Sequence, residues 1–150
     1  MSDQPVSRLI LSYEFDQSYH NKRLLNDDFG WFGVSVTTER FSGRGGMWVQ
    51  WHDIVQFGNC LATRPLVAGA PIVVQWGYNM QEGDDLIVRL AFEIIENGNI
   101  QIAVELGDTH GPHNRLRTSF ECFHGALPIF SRDIEVMMQG NLGAAVIDGR

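Results

Sequence analysis

Leu86, Val88, Leu90, Phe92 and Ile94 alternate with Arg89, Ala91 and Glu93, and the same two-residue rhythm returns twice before Phe123. Ile100, Ile102, Val104 and Leu106 alternate with Gln101, Ala103 and Glu105. Leu116, Thr118, Phe120 and Cys122 alternate with Arg115, Arg117, Ser119 and Glu121. A period of two predicts strands with one dry face and one wet face. Asn97-Gly98 separates the first two strands and predicts a tight type I′ hairpin, whose central residues need positive φ. Nearer the N-terminus the rhythm covers Arg8 to Phe15 and Phe29 to Phe41, the latter with Phe32, Val34 and Val36 on one side. It then covers Met47 to Trp51 and Pro71 to Tyr78. Asp16 to Asp28 is polar and reads as a loop. Ser42-Gly43-Arg44-Gly45-Gly46 reads as a turn by composition.

Two stretches change period. Asp53 is placed to cap a helix, with Gln56 three residues on and Ile54, Phe57 and Leu61 as its apolar stripe. Pro65 closes it. Ser131 is placed to cap a second helix that turns Ile134, Met137 and Met138 inward and stops at Gly140. Ala144 to Ile147 predicts a terminal strand. The order predicts one α+β domain over residues 1–150, with residues 1–7 a disordered tail. Its sheet is predominantly antiparallel, of about six to eight strands, with two helices packed on one face. No linker or internal repeat is visible.

Composition narrows the function classes. At 150 residues the chain can bury a core without metal or disulfide staples. Its net charge is −7, and Lys22 is the only lysine among 11 basic residues, which argues against nucleic acid as a partner. No apolar run approaches the ~18–20 residues that span a bilayer, so no membrane association is expected. The first residues lack a basic stretch followed by an apolar one, and cytoplasmic residence is the expectation. Cys60 and Cys122 form no CxxC pair and read as free thiols.

The candidate chemistry is sparse. His110-Gly111-Pro112-His113, with Asp108 nearby, could supply metal ligands, but Pro112 separates the rings and turn geometry explains the same residues. Trp51-His52-Asp53 offers half of a nucleophilic triad, yet no nucleophile motif accompanies it, and helix capping accounts for Asp53. Gly43-Arg44-Gly45-Gly46 lacks the helix that a phosphate loop requires. No catalytic residue, metal site or cofactor is therefore expected; the alternative is a small-molecule or metal-dependent enzyme using His52, His110 and His113. The aromatics are more pointed. A two-residue turn at Arg44-Gly45 sets Phe41 opposite Trp48 on the face away from the core, with Trp31 on the same side. These three are the candidate binding residues.

Phe32-Gly33-Val34, Phe41-Ser42-Gly43 with Gly46 and Trp48, and Asp53, Phe57 and Leu61 at the helix resemble a family of small bacterial domains of unknown function. Proteins similar to these are found among immunity-type and accessory proteins. The resemblance implies a non-enzymatic domain that binds a protein partner or itself, and it carries over no catalytic residues.

Overall fold

The chain runs through β1 (Ser7–Phe15), β2 (Phe29–Thr37), β3 (Ser42–Gln50), α1 (Trp51–Thr63), β4 (Ile72–Tyr78) and β5 (Asp85–Ile94). It continues through β6 (Ile100–Gly107), β7 (Arg115–Cys122), α2 (Ala126–Met138) and β8 (Ala144–Gly149). This is a computed structural model that describes residues 7–15, 29–78, 85–111, 113–140 and 142–149. The expected loop at 16–28 and the expected tail at 1–6 lie outside the described residues. Ser7 does not belong to a tail: it is buried and begins β1 opposite Gly149.

The strands form two four-stranded antiparallel sheets, in the orders β3-β2-β1-β8 and β4-β5-β6-β7. The alternation reads out directly in burial. Leu9, Leu11, Tyr13, Phe32, Val34 and Val36 face inward from the first sheet, and Leu90, Phe92, Ile100, Ile102 and Val104 from the second. One hydrophobic core joins both sheets and both helices. An aromatic chain threads it: Phe32 meets Trp76 at 5.1 Å, Trp76 meets Phe57 at 6.1 Å, Phe57 meets Phe92 at 5.9 Å, and Phe92 meets Phe130 at 6.3 Å. Each such pair adds about 0.5–1.5 kcal/mol beyond its buried area.

The two sheets repeat one another. Leu11 pairs with Val34 as Leu90 pairs with Val104; Thr37 and Ser42 close the β2–β3 connection as Gly107 and Arg115 close β6–β7. Both helices have 13 residues, and Ile54, Phe57, Gly58 and Leu61 of α1 match Leu127, Phe130, Ser131 and Ile134 of α2 in spacing and burial. The fold is therefore a doubled ββββα unit. The second half is β4-β5-β6-β7-α2, and the first is β8-β1-β2-β3-α1, with its leading strand supplied from the C-terminal end. The sequence hides this repeat because matched positions carry different apolar residues.

Several local expectations need correction. The Gly43–Gly46 segment is not a turn. The β2–β3 connection lies at residues 38–41, and the glycines are in β3, where neighbours occupy the space of a side chain at Gly43 and Gly46. A Cβ on Gly43 would lie 2.7 Å from Leu116 Cδ2 of the other sheet and one on Gly46 2.6 Å from the Phe32 carbonyl, whereas one on Gly45 would make only ordinary contact with Leu106 at 3.6 Å. Asn97-Gly98 does turn a hairpin, but through a longer connection: Gly98 N–H donates to the Ile95 carbonyl, and Gly98 takes φ +84. That is a three-residue loop with glycine in the left-handed position, not a type I′ turn. The N-cap of α1 is Gln50, and Asp53 lies in its first turn. The second helix starts at Ala126, so Ser131 is buried within it and donates to the Pro128 carbonyl. Pro128 is tolerated because N–H groups of a helix's first turn have no intrahelical acceptor.

Candidate functional site

β2 and β3 place Trp31 directly across from Trp48 on the outward face of the first sheet, with ring centroids 5.6 Å apart in an edge-to-face arrangement. The two indoles are 37% and 47% exposed. Gly46 makes room for them: a Cβ there would lie 2.8 Å from Trp31 Nε1, so that indole rests on bare backbone. Phe41 is exposed too, but it occupies the connection before β3 and pairs with neither tryptophan.

Beside the indoles opens a cleft of about 860 Å³. Its floor is the outward face of the first sheet, including Ser12, Gly33 and Ser35. One wall is the glycine-rich start of β3, and the other is the end of the β6–β7 hairpin from the second sheet. Two guanidinium groups reach it. Arg44 makes no hydrogen bond or ion pair with another described residue, whereas Arg115 Nη1 donates to the Leu86 carbonyl at 2.7 Å and is held in place. The cleft's carboxylate, Asp108, accepts the His110 backbone N–H at 2.9 Å and faces the Asn114 amide at 3.5 Å. The His110 N–H and then the Asn114 amide hold its carboxyl below the usual range.

The duplicated half supplies an internal comparison. Across the first sheet the outward rows read Glu14-Trp31-Trp48, Ala144-Ser12-Gly33-Gly46 and Val146-Ile10-Ser35-Arg44. The matching rows of the second sheet read Glu93-Gln101-Glu121, Val73-Ala91-Ala103-Ser119 and Gln75-Arg89-Glu105-Arg117. Where the second half carries Gln101 and Glu121, the first carries two indoles. Where Glu105 faces Arg117 at 3.4 Å, the first half has uncharged Ser35 beside a free Arg44. One face is a solvated, self-neutralising surface; the other is aromatic, glycine-lined and short of acids.

Among the described residues the histidines His52, His110 and His113 form no shared metal-binding cluster. His110 lines the cleft, His52 lies in the first turn of α1, and His113 is exposed; Pro112 lies outside the described residues. Among the described residues no three His, Cys, Asp or Glu side chains could hold a metal ion. Cys60 and Cys122 are free thiols, and burial pushes Cys122 up to about 11. No described helix is long and apolar enough to cross a membrane. Sequence periodicity could place Trp31 and Trp48 on one face. It could not place Arg115 in the same cleft as Trp31, because that depends on how one sheet crosses the other.

No protein-family model matches the sequence, and no curated protein matches it. Two solved structures are similar in fold. One is the plant transcriptional regulator PBF-2, with a TM-score of 0.52 and 11% identity over 90% of this chain and 76% of that one. The other is WHY3 from Arabidopsis thaliana, with a TM-score of 0.51 and 11% identity over 92% of this chain and 83% of that one. At this identity the likeness shows a shared fold. It nevertheless overturns two expectations drawn from the sequence, the immunity-type or accessory role and the absence of a nucleic-acid partner. The charge argument does not exclude such a partner, because −7 is a sum over the whole chain, whereas binding depends on the charges at one surface.

Proposed function

We propose that this protein binds single-stranded nucleic acid in the cleft on the outward face of the first sheet. The observation that carries the reading is the exposed Trp31–Trp48 pair, at positions where the duplicated half has glutamine and glutamate, with Trp31 lining the same cleft as Arg44 and Arg115. Aromatic rings stack on bases of any identity, and arginines follow the backbone phosphates. Stacking on a protruding indole requires an unpaired base, which favours a single strand over a duplex. Likeness to a transcriptional regulator supports the same direction. Two unpaired cysteines suit residence in the cytoplasm, where thiols stay reduced.

Titration of a fluorescent thymidine oligomer at low salt tests this. Trp48→Ala and Trp31→Ala should each weaken binding roughly 5- to 150-fold, the range for loss of one stacked base. Phe41→Ala should leave affinity unchanged. No saturable binding by the wild type, or wild-type affinity in both tryptophan variants, would overturn the proposal.

A further inference from the structure

Trp48 has a second side. Between the end of β3, the first turn of α1 and β4 lies a pocket of about 310 Å³, and Trp48 is common to its lining and close to the cleft. Phe29 and Trp76 supply further aromatic surface. Gln50, Asp53 and Gln75 bring polar ends to it, and none of the three makes a side-chain hydrogen bond to another described residue. The volume is at the lower end of small-molecule sites, roughly 300–1,000 Å³. Aromatic walls with a few unpaired polar groups are what a flat heterocycle requires.

The duplicated half carries different side chains at the matching described positions. Asn99, Glu121, Phe123 and Ala126 stand where Phe29, Trp48, Gln50 and Asp53 stand in the first half. The pocket therefore does not follow from the repeated fold; it belongs to the half that carries the indoles.

Building on the strand-binding reading above, we propose that this pocket takes one base of the bound strand and selects guanine. The discriminating group is Asp53. An ionised carboxylate accepts hydrogen bonds and donates none. Guanine alone presents two donors side by side on its Watson–Crick edge, the ring N1–H and the exocyclic amine, and so can satisfy both carboxylate oxygens. Adenine and cytosine offer one amine beside an acceptor nitrogen. Thymine and uracil flank their single N–H with carbonyls that oppose a carboxylate. The Gln50 and Gln75 amides can donate to the guanine carbonyl and N7, groups that the carboxylate cannot serve. Trp48 then stacks a neighbouring base on its cleft side, which links the two subsites along one strand.

The test compares short thymidine oligomers carrying a single central thymine, guanine, adenine, cytosine or hypoxanthine, measured by fluorescence anisotropy. The guanine oligomer should bind the wild type roughly tenfold more tightly than the all-thymine one, the range for one well-made base contact. Hypoxanthine keeps N1–H and lacks the exocyclic amine, so it should lose most of that gain. Asp53→Asn should abolish the guanine preference without lowering the all-thymine affinity, with an unchanged melting temperature as the check on folding. If the wild type binds all five oligomers alike, or hypoxanthine equals guanine, the guanine pocket is wrong while strand binding stands. If no oligomer binds, the strand-binding reading itself fails. A preference that survives Asp53→Asn also rejects this assignment.

Discussion

The indole N–H of Trp51 donates to the main-chain carbonyl of Met138 across 3.1 Å, joining the first residue of α1 to the last residue of α2. A helix's last four carbonyls have no intrahelical donor, and this contact satisfies one of them from the other helix. Trp51→Phe keeps the ring and removes the N–H. It should cost about 1 kcal/mol and lower the melting temperature by about 2–4 °C, with helix content in circular dichroism unchanged.

The glycines of β3 should respond unequally to alanine. At Gly43 the added methyl meets the Leu116 Cδ2 atom, the end of a side chain that can rotate away. At Gly46 it meets the Phe32 carbonyl and the Trp31 indole. Gly46→Ala should therefore cost about 1–3 kcal/mol and also weaken strand binding. Gly43→Ala should cost clearly less and leave binding intact. Urea denaturation with oligomer titration on the same samples checks both.

The strands, the α+β class and the inward residues were legible because a two-residue period needs only sequence neighbours. The division into two sheets was not, because pairing of distant strands leaves no mark on local alternation. Gly43, Gly45 and Gly46 misled for a related reason. A tight turn and a crowded strand favour the same absence of side chain, and only the neighbours, Leu116 at Gly43 and Phe32 and Trp31 at Gly46, tell them apart. At the candidate site, Trp31 and Trp48 were visible by parity. The role of Arg115 and the Asp53 pocket arise from crossings that no local pattern encodes.

Phe57 and Phe130 occupy matched places in the two halves, and both are buried against Phe92. Phe57→Ala and Phe130→Ala should each cost about 3–5 kcal/mol, with values close to one another. A large loss for one and a small loss for the other would mean that the halves are unequal in packing despite their matched register. Equilibrium denaturation in urea makes the comparison.

Cys122 should resist modification in the folded protein. Its thiol is buried in β7 and stays protonated up to about 11, from an ordinary value of 9.0, mainly because burial disfavours the thiolate. Iodoacetamide at neutral pH should leave it unlabelled until the chain unfolds, as mass spectrometry of peptides would show. The folded state binds the proton more tightly than the unfolded state. The stabilisation is therefore complete below pH about 9 and is lost as pH rises toward about 11. Cys122→Ala should remove that alkaline decline.

Salt should weaken strand binding only gently. With Arg44 and Arg115 as the cations of the cleft, about two phosphates are neutralised, and log affinity should fall with log salt at a slope of about −1.4. A much steeper slope would mean that cations outside the cleft contact the strand. Arg44→Ala should reduce the slope by about half and leave base preference unchanged.

Gly149 lies opposite Ser7, so the sheet that carries the cleft is completed by β8, which follows both helices in chain order. While β1, β2 and β3 wait, β1 has an open edge, and the half composed of β4 to α2 can assemble without it. Closing the tryptophan-bearing sheet thus takes the pairing of β1 with β8, the two described strands farthest apart in the chain.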